Sequence, residues 1–261
     1  MSRLSAAFGA ARGRTGLIPF LTTGYPSPEA TVEMAREFSR RGALALELGI
    51  PFSDPIADGP EIQRASEWAL RHGVTPETTL GVVRELRRES QLPLVIMTYA
   101  NPILCGGIDA FARAARVAGV DGVIVSDVPP EEMPELWQAF DRAAIDTVML
   151  LAPTTPEARW PAVIGRSRGF LYCLARTGVT GRAPGEALDL AGRLRALRAR
   201  TQLPLAVGFG ISSTADAAAL RGVADAAVVG AAFMRAITED PERGAAARAL
   251  ELGDRLIEAL A

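Results

Sequence analysis

The chain has 261 residues, of which 49% are hydrophobic and 22% charged, and its formal net charge is −2. This length suits one complete barrel of strand–helix units, which typically takes about 250 residues. The near-neutral charge gives no reason to expect nucleic acid or an anionic membrane as a partner. No uncharged apolar run approaches the roughly 20 residues that span a bilayer, and the N-terminal region lacks an apolar core of signal-peptide length. We therefore expect a cytoplasmic protein.

Several residue types that dominate enzyme chemistry are missing or rare. All 28 basic residues are arginine, because the sequence contains no lysine. A lysine Schiff base, a lysine-anchored pyridoxal phosphate and a Walker-type phosphate lysine are thereby excluded. The single histidine, His72, excludes a histidine metal cluster, and the two cysteines, Cys105 and Cys173, are predicted to be free thiols. We expect no cofactor, although a magnesium site built from carboxylates alone stays open.

Strand and helix patterns alternate along the chain. Residues 1–14 predict a short amphipathic helix, and the apolar run Leu17–Thr22 predicts the first strand. A helix then begins at Ser27-Pro28, where serine can cap the helix and proline suits its first turn. Further strands are predicted at 43–49, 92–99, 120–126, 146–151, 169–174, 203–208 and 224–229. Further helices are predicted at 60–72, 76–89, 108–118, 131–143, 156–165, 186–200, 213–221, directly after Gly230, and at 241–260.

This alternation determines the predicted fold. Near-continuous apolar strands separated by helices predict a parallel sheet that is covered on both faces. Eight such units in a chain of this length favour a closed barrel over an open doubly wound sheet. We therefore predict an α/β fold, a (β/α)8 TIM barrel, in which residues 1–261 form a single domain with an extra N-terminal helix. The active site of such a barrel lies at the carboxyl ends of its strands.

The stretch LELGIPFSDPIADGP, residues 46–60, places acids at that end of the second strand. Because strand side chains alternate, the leucines share one face and Glu47 points the other way, toward the barrel interior. A charged side chain is seldom buried without a partner or a function, so Glu47 is a candidate acid or base. Asp58 on the following loop is its candidate partner. Asp54, which precedes a proline, and Asp58, which precedes a glycine, could also be ordinary turn residues.

Other interpretations of the barrel mouth stay open. Glu47 could form a buried ion pair with an arginine instead of acting in catalysis. Asp127, after the fourth strand, could join the site or hold the mouth together. Tyr99 and Tyr172 end strands from which their hydroxyls could reach the site, and Phe20 fits either the plain core or an aromatic ligand pocket.

Glycine turns at the ends of the last strands predict a phosphate site. Gly208–Ser212 follows the seventh strand, Gly230 and Ala231 follow the eighth, and Gly178–Gly181 lies in the loop after the sixth. Glycines let the backbone approach an anion, and barrels often bind phosphate here through amide groups and a helix N-terminus. Ser212 could cap the following helix and donate to the same anion. A small phosphorylated substrate is therefore expected, although the glycines could also be ordinary strand-to-helix turns.

Six motifs spread along the chain are more specific than barrel patterns. They are LELGIPFSDPIADGPEIQRA at 46–65, PFLTTGYP at 19–26, MTYANP at 97–102, SDVPPEE at 126–132, GVTG at 178–181 and VGFGIS at 207–212. With these motifs the chain resembles the tryptophan synthase alpha subunit family along essentially its whole length. The resemblance implies a (β/α)8 barrel and retro-aldol cleavage of indole-3-glycerol phosphate to indole and glyceraldehyde 3-phosphate, with no cofactor and no metal in this step.

The resemblance also implies roles for individual residues. Glu47 and Asp58 would be catalytic: Glu47 would move protons between indole C3 and the side-chain hydroxyl, and Asp58 would hydrogen-bond the indole N–H. Two positions depart from the family, because Ala231 replaces a usual serine and Tyr25 stands where some members have aspartate. The loss of the serine hydroxyl predicts weaker phosphate binding. The substrate-binding residues carried over are Phe20, Tyr99, Tyr172, Thr180, Gly181, Phe209, Gly210, Gly230 and Ala231.

A partner is implied as well, the pyridoxal-phosphate beta subunit in an αββα heterotetramer. Its contact surface would include the loop with Asp54 and Pro55 and the segment that begins at Asn101. The glycine-rich segment 176–185 would close over the substrate. Two alternatives are a stand-alone lyase that releases indole and an activator subunit with little activity of its own. Another phosphate-binding barrel of the same pathway is disfavoured by the missing lysine and by the ADGP loop.

Overall fold

The structure is a computed structural model that describes residues 2–175, 189–208, 210–239 and 244–261. In these ranges the chain alternates between parallel strands and helices, as the sequence predicts. The strands are β1 (Gly16–Thr22), β2 (Leu46–Gly49), β3 (Leu94–Thr98), β4 (Gly122–Val125), β5 (Asp146–Thr147), β6 (Met149–Leu151), β7 (Leu171–Leu174), β8 (Leu205–Gly208) and β9 (Ala226–Val229).

The helices lie between the strands and outside the sheet. None of them, within the described ranges, combines the length and apolar character that a membrane span requires. They are α1 (Arg3–Ala10), α2 (Pro28–Arg40), α3 (Pro60–Arg71), α4 (Pro76–Arg87), α5 (Ala100–Gly106), α6 (Ile108–Ala118), α7 (Pro134–Arg142), α8 (Trp160–Arg166), α9 (Leu190–Arg198), α10 (Thr214–Ala218), α11 (Ala231–Thr238) and α12 (Ala245–Leu260), with a 3-10 turn at Glu157–Arg159.

The sheet closes into the predicted barrel. Its strand order is β5-β4-β3-β2-β1-β9-β8-β7-β6, and all neighbours are parallel. The two terminal strands of this order, β5 and β6, are two pieces of the predicted fifth strand. Val148 separates them, and its N–H still donates to the Val123 carbonyl at 2.9 Å. The ring therefore closes within one stretch of chain, which gives the (β/α)8 TIM barrel.

Two local features differ from the prediction. The strands are shorter than expected, because apolar residues before them, such as 43–45, are buried but lie outside the regular strand. Helix α5 was not predicted. Its first N–H, at Ala100, donates to Asp127 Oδ1 at 2.9 Å, so a side chain from the next loop holds the start of this short helix.

The extra N-terminal helix α1 covers the amino-terminal end of the barrel. Leu4 is fully buried there. It packs so closely on Gly122 that a Cβ added to this glycine would lie only 2.9 Å from Leu4 Cδ1. Phe8 packs against Phe170 with ring centroids 5.5 Å apart, and Arg3 Nη1 lies 2.9 Å from an Asp121 carboxylate oxygen. This end is thereby filled, and the carboxyl ends of the strands form the other face.

Candidate active site

Glu47 lies in a row of interior positions across neighbouring strands. Parallel pairing aligns it with Phe20 of β1 on one side and with Val95 of β3 on the other. The residue is 1% exposed, and neither carboxylate oxygen has a hydrogen-bond partner among the described residues. An ion pair with an arginine, the alternative interpretation, is not present in this part of the chain. The burial of Glu47 is therefore not explained by a structural partner.

The two acids have separated pKa values. Burial raises the pKa of Glu47 to about 8, and the nearby charge of Asp58 adds to the increase. Burial also raises the pKa of Asp58 to about 6, while a hydrogen bond from Tyr99 acts in the opposite direction. Near pH 7, Glu47 is mostly protonated and Asp58 is mostly ionised. A pair of carboxyl groups with environments this different can supply an acid and a charged stabilising group at the same pH.

Asp58 is held at the barrel mouth by Tyr99. The Tyr99 hydroxyl donates to Asp58 Oδ2 at 3.0 Å and accepts the N–H of Ala57 at 3.1 Å. The Tyr99 ring packs against Phe52, with centroids 5.1 Å apart. Both contacts tie the loop after β2 to the end of β3. Tyr99 was expected to line the substrate pocket, and its hydroxyl also orients the acid.

Tyr172 approaches the same interior from β7. Strand pairing places it beside Ala206, and a Cβ added at Gly208 would collide with the Tyr172 hydroxyl. Burial raises the pKa of Tyr172 well above its usual range, and the charges of Glu47 and Asp58 raise it further. Tyr172 therefore stays a neutral phenol close enough to both acids for their charges to affect it.

Phe20 connects the acids to the glycine turns. A Cβ at Gly49 would lie 2.6 Å from Phe20 Cζ, and a Cβ at Gly230 would lie 3.1 Å from its Cδ1. Gly230 is the N-cap of α11 and offers no side chain to the amide groups of the first turn. Those groups have no partner within the helix, so they can bind an anion. Gly210 has a φ of +105°, a backbone conformation that favours glycine.

Not every residue of the predicted phosphate site is placed as expected. Ala231 begins α11 and contributes an amide but no hydroxyl. The prediction that Ser212 caps the next helix is wrong, because Ser213 is the N-cap of α10. The Ser212 N–H and hydroxyl both donate to Asp216 Oδ2, at 2.9 and 3.1 Å. Both donors of Ser212 are therefore already paired with this carboxylate. Thr180, Gly181, Phe209 and the segment 176–185 lie outside the described residues.

The residues expected at a partner surface lie on the exterior. Asp54 and Asn101 are exposed and Pro55 is half-buried. Two large apolar side chains nearby in sequence are unusually open to solvent: Ile56 is 76% exposed and Leu104 is 44% exposed. Sequence reasoning did not single out either of them, although both lie within the segments expected to contact a partner.

Four further residues were considered from the sequence, namely Asp127, Cys105, Cys173 and His72. Asp127 is exposed and holds the start of α5, which is a structural role. Cys105 and Cys173 are free thiols, as predicted. His72 is exposed, and its ring stacks on Trp68 at 4.5 Å. In the described part of the chain, no three His, Cys, Asp or Glu side chains are grouped in a way that could hold a metal ion.

Comparisons with known proteins agree on one family. The family model described as "Tryptophan synthase alpha chain" matches residues 7–258. The tryptophan synthase alpha chain of Burkholderia mallei (strain NCTC 10229) is 48% identical over 250 residues, which cover 94% of this chain and 92% of the relative. That of Ralstonia nicotianae (strain ATCC BAA-1114 / GMI1000) is 47% identical over 242 residues, which cover 92% and 91%.

Solved structures give the same result. Tryptophan synthase subunit alpha from Legionella pneumophila str. Paris has a TM-score of 0.89 at 35% identity, covering 100% of this chain and 98% of that one. A structure of Mycobacterium tuberculosis tryptophan synthase has a TM-score of 0.90 at 36% identity, covering 99% and 98%.

An unpartnered buried acid beside an ionised one, at the carboxyl ends of a closed parallel barrel, is typical of (β/α)8-barrel enzymes that work by proton transfer. The comparisons specify the member of that class. The chain belongs to the tryptophan synthase alpha chain family. It is a lyase of tryptophan biosynthesis and catalyses the alpha reaction of tryptophan synthase.

Proposed function

We propose that the chain cleaves indole-3-glycerol phosphate to indole and glyceraldehyde 3-phosphate, with Glu47 as the proton carrier and Asp58 as its charged partner. The observation that carries this proposal is the state of Glu47, which is buried, without a partner among the described residues, and mostly protonated near neutral pH. Retro-aldol cleavage consumes no water and leaves no net proton. One carboxyl group can therefore both give and take the proton within a turnover.

The first step places a proton on the indole ring. Glu47 donates its proton to C3, which leaves a positively charged iminium in the ring. The Asp58 carboxylate accepts a hydrogen bond from the indole N–H and stabilises that charge. Its pKa of about 6 keeps it ionised for this task at neutral pH.

The second step breaks the carbon–carbon bond. Glu47, now a buried carboxylate, takes the proton from the hydroxyl on the side-chain carbon bonded to C3. That hydroxyl becomes the aldehyde, the bond to C3 breaks, and its electron pair returns to the ring and neutralises the iminium. Glu47 ends protonated, as it began. Burial favours the protonated form, so it makes the Glu47 carboxylate a stronger base than an exposed one.

The remaining site residues would bind the substrate. The amide groups at the start of α11, next to Gly230 and Ala231, would hold the phosphate, and Tyr99 and Tyr172 would enclose the indole end. Ala231 removes one hydrogen bond, which costs about 1 kcal/mol of phosphate affinity. The full set proposed for substrate binding is Phe20, Tyr99, Tyr172, Thr180, Gly181, Phe209, Gly210, Gly230 and Ala231.

We also propose that a cytoplasmic beta subunit covers the loop after β2 and the helix after β3, in an αββα heterotetramer. Ile56 on this loop and Leu104 in helix α5 support this proposal, because large apolar side chains exposed on neighbouring segments are typical of an interface. Asp54, Pro55 and Asn101 lie on the same two segments and would contact the partner. Asp54 would then serve coupling between the subunits rather than proton transfer.

The test is indole release from indole-3-glycerol phosphate by the purified chain, measured with and without a tryptophan synthase beta subunit. We expect release by the chain alone, faster release with the beta subunit, and loss of at least about 100-fold in kcat for Glu47→Gln. For the chain alone, Asp54→Asn is the matched control, since it removes an exposed carboxylate from the loop that follows β2. Wild-type turnover in Glu47→Gln would contradict the assigned mechanism. Turnover that does not respond to the beta subunit would indicate a stand-alone lyase.

A further inference from the structure

Thr22 carries a buried hydroxyl that the mechanism above does not use. The residue is 1% exposed at the end of β1, and its Oγ1 has no hydrogen-bond partner among the described residues. A buried hydroxyl without a partner destabilises the folded state, because it has lost its hydrogen bonds to water and gained none in the protein. Such groups are uncommon in folded proteins, and a ligand that pairs with the hydroxyl is one physical reason for keeping it.

The side chain of Thr22 points into the barrel. Alternate residues of a strand share a face, and Thr22 follows Phe20 by two positions. Phe20 is on the interior face, because its ring occupies the space next to Gly49 and Gly230. Strand pairing puts Thr22 beside Gly49, which has no side chain. The Thr22 hydroxyl therefore lies one step closer to the barrel mouth than the row that contains Glu47.

The strand order places Thr22 between the two ends of the site. β1 has β9 on one side and β2 on the other. β9 leads to Gly230 and the phosphate end, and β2 carries Glu47. A substrate with its phosphate at β9 and its reacting carbon at β2 must pass over the end of β1. In indole-3-glycerol phosphate, the part between these two points is a three-carbon chain with two hydroxyls.

We propose that Thr22 binds the hydroxyl on the middle carbon of this chain, the hydroxyl that takes no part in bond cleavage. A threonine hydroxyl can donate one hydrogen bond and accept others, so it can pair with a substrate hydroxyl in either direction. This contact sets the rotation of the three-carbon chain and brings the other hydroxyl to Glu47. The inference rests on the proposed substrate and adds a residue that recognises its central part.

The test compares two ligands that differ only in the middle hydroxyl, sn-glycerol 3-phosphate and 3-hydroxypropyl phosphate. Their dissociation constants are measured by calorimetry for the wild type, Thr22→Val and Thr22→Ser. We expect Thr22→Val to weaken sn-glycerol 3-phosphate binding by about 3–10-fold, the loss of one hydrogen bond, and to leave 3-hydroxypropyl phosphate unchanged. Thr22→Ser keeps the hydroxyl and should retain the wild-type preference between the two ligands.

A matched control exists in the chain. Thr79 in α4 is also fully buried with an unpartnered Oγ1, and it lies on an outer helix. Thr79→Val should leave both dissociation constants unchanged. In Thr22→Val the melting temperature should stay level or rise, because the change replaces an unpaired hydroxyl by a methyl group of similar size. If Thr22→Val folds poorly, Thr22→Ala gives the same readout, since the ratio of the two dissociation constants does not depend on the folded fraction.

The proposal is overturned if the ratio of the two dissociation constants is the same in Thr22→Val as in the wild type, whether neither ligand is weakened or both are weakened equally. These outcomes are separate from failure of the proposed function. The ligand ratio is measured without turnover, whereas the proposed function fails if the wild-type chain releases no indole from indole-3-glycerol phosphate.

Discussion

Tyr99 donates a hydrogen bond of 3.0 Å to the carboxylate of Asp58, although the two residues are 41 positions apart in the chain. The same hydroxyl accepts the N–H of Ala57 at 3.1 Å. One phenol therefore fixes both the acid and the backbone just before it. The loop after β2 is anchored to β3, and the ionised form of Asp58 is favoured.

Replacing Tyr99 by phenylalanine should test this anchor. The hydrogen bond from Tyr99 lowers the pKa of Asp58, so its loss should raise that pKa above about 6. We expect the acidic limb of the kcat/KM profile to move to higher pH and kcat at pH 7 to fall about tenfold. The measurement is the pH dependence of indole release. An acidic limb at the wild-type pH would show that Tyr99 does not control the ionisation of Asp58.

The wild-type profile should itself be bell-shaped. The proposed mechanism needs Asp58 ionised and Glu47 protonated in the free enzyme, and their pKa values are about 6 and about 8. We therefore expect kcat/KM to be highest near pH 7 and to fall on both sides. Asp58→Asn should lose the acidic limb and keep the basic one. A profile that is still rising at pH 9 would be inconsistent with Glu47 as the initial acid.

Glu47 should lower the stability of the folded chain at high pH. Burial raises its pKa from 4.5 to about 8, so the folded state holds this proton more tightly than the unfolded state does. The contribution of Glu47 to the free energy of unfolding is therefore fully present below about pH 4.5 and is lost as the pH rises toward 8. Glu47→Gln removes the titration while it keeps the shape of the side chain.

The melting temperatures of Glu47→Gln and the wild type should therefore be similar near pH 4.5 and diverge above it. At pH 8.5 we expect the variant to melt at least about 4 °C higher, since 1 kcal/mol corresponds to roughly 2–4 °C for a chain of this size. Asp58 titrates in both proteins, so it largely cancels in the comparison. A difference that does not change with pH would mean that Glu47 is not buried as a protonated acid.

Ala231→Ser should restore a hydroxyl at the first residue of α11. We expect the Michaelis constant for indole-3-glycerol phosphate to fall about 2–10-fold with little change in kcat, because phosphate is bound equally in the ground and transition states. Steady-state kinetics at fixed ionic strength would measure this. Ala232→Ser, one position further along the same helix, is the control. An unchanged Michaelis constant would show that the hydroxyl cannot reach the phosphate.

Leu104→Asp should weaken association with a beta subunit. The change puts a charge on an apolar side chain that is 44% exposed in α5. We expect the dissociation constant to rise at least tenfold and the indole release of the chain alone to be unaffected. Val117→Asp is the matched control, because Val117 is 82% exposed at the end of α6 and outside the proposed interface. Equal effects of the two changes would contradict an interface at Leu104.

The barrel and the interior position of Glu47 were predictable because both follow from short-range periodicity. Apolar strands that alternate with helices imply the parallel ring, and the two-residue period of a strand gives Glu47 its face. The turns that we propose to bind phosphate could be recognised in the sequence only as a group. Two adjacent serines, Ser212 and Ser213, are equally good caps by composition, and the backbone together with Asp216 determines which one caps α10.

Long-range side-chain partners were not predictable. The contact of Tyr99 with Asp58 depends on how far the loop after β2 folds over β3, and local sequence does not encode that distance. Helix α5 was missed for the same reason, since its first amide is held by Asp127 from another loop. The pKa values of about 8 and about 6 depend on burial, which is a property of the assembled barrel.

The N-terminal helix lies where the ring of strands is joined. Ser2, the N-cap of α1, donates to Asp146 of β5 at 2.5 Å. Leu4 packs close to Gly122 of β4 and to Gly169, which lies just before β7. These contacts span the break between β5 and β6, the one place where the strand ladder is interrupted in the described residues. Helix α1 therefore helps to keep the circumference of the barrel constant, and with it the spacing between β2, which carries Glu47, and β3, which leads directly to Tyr99.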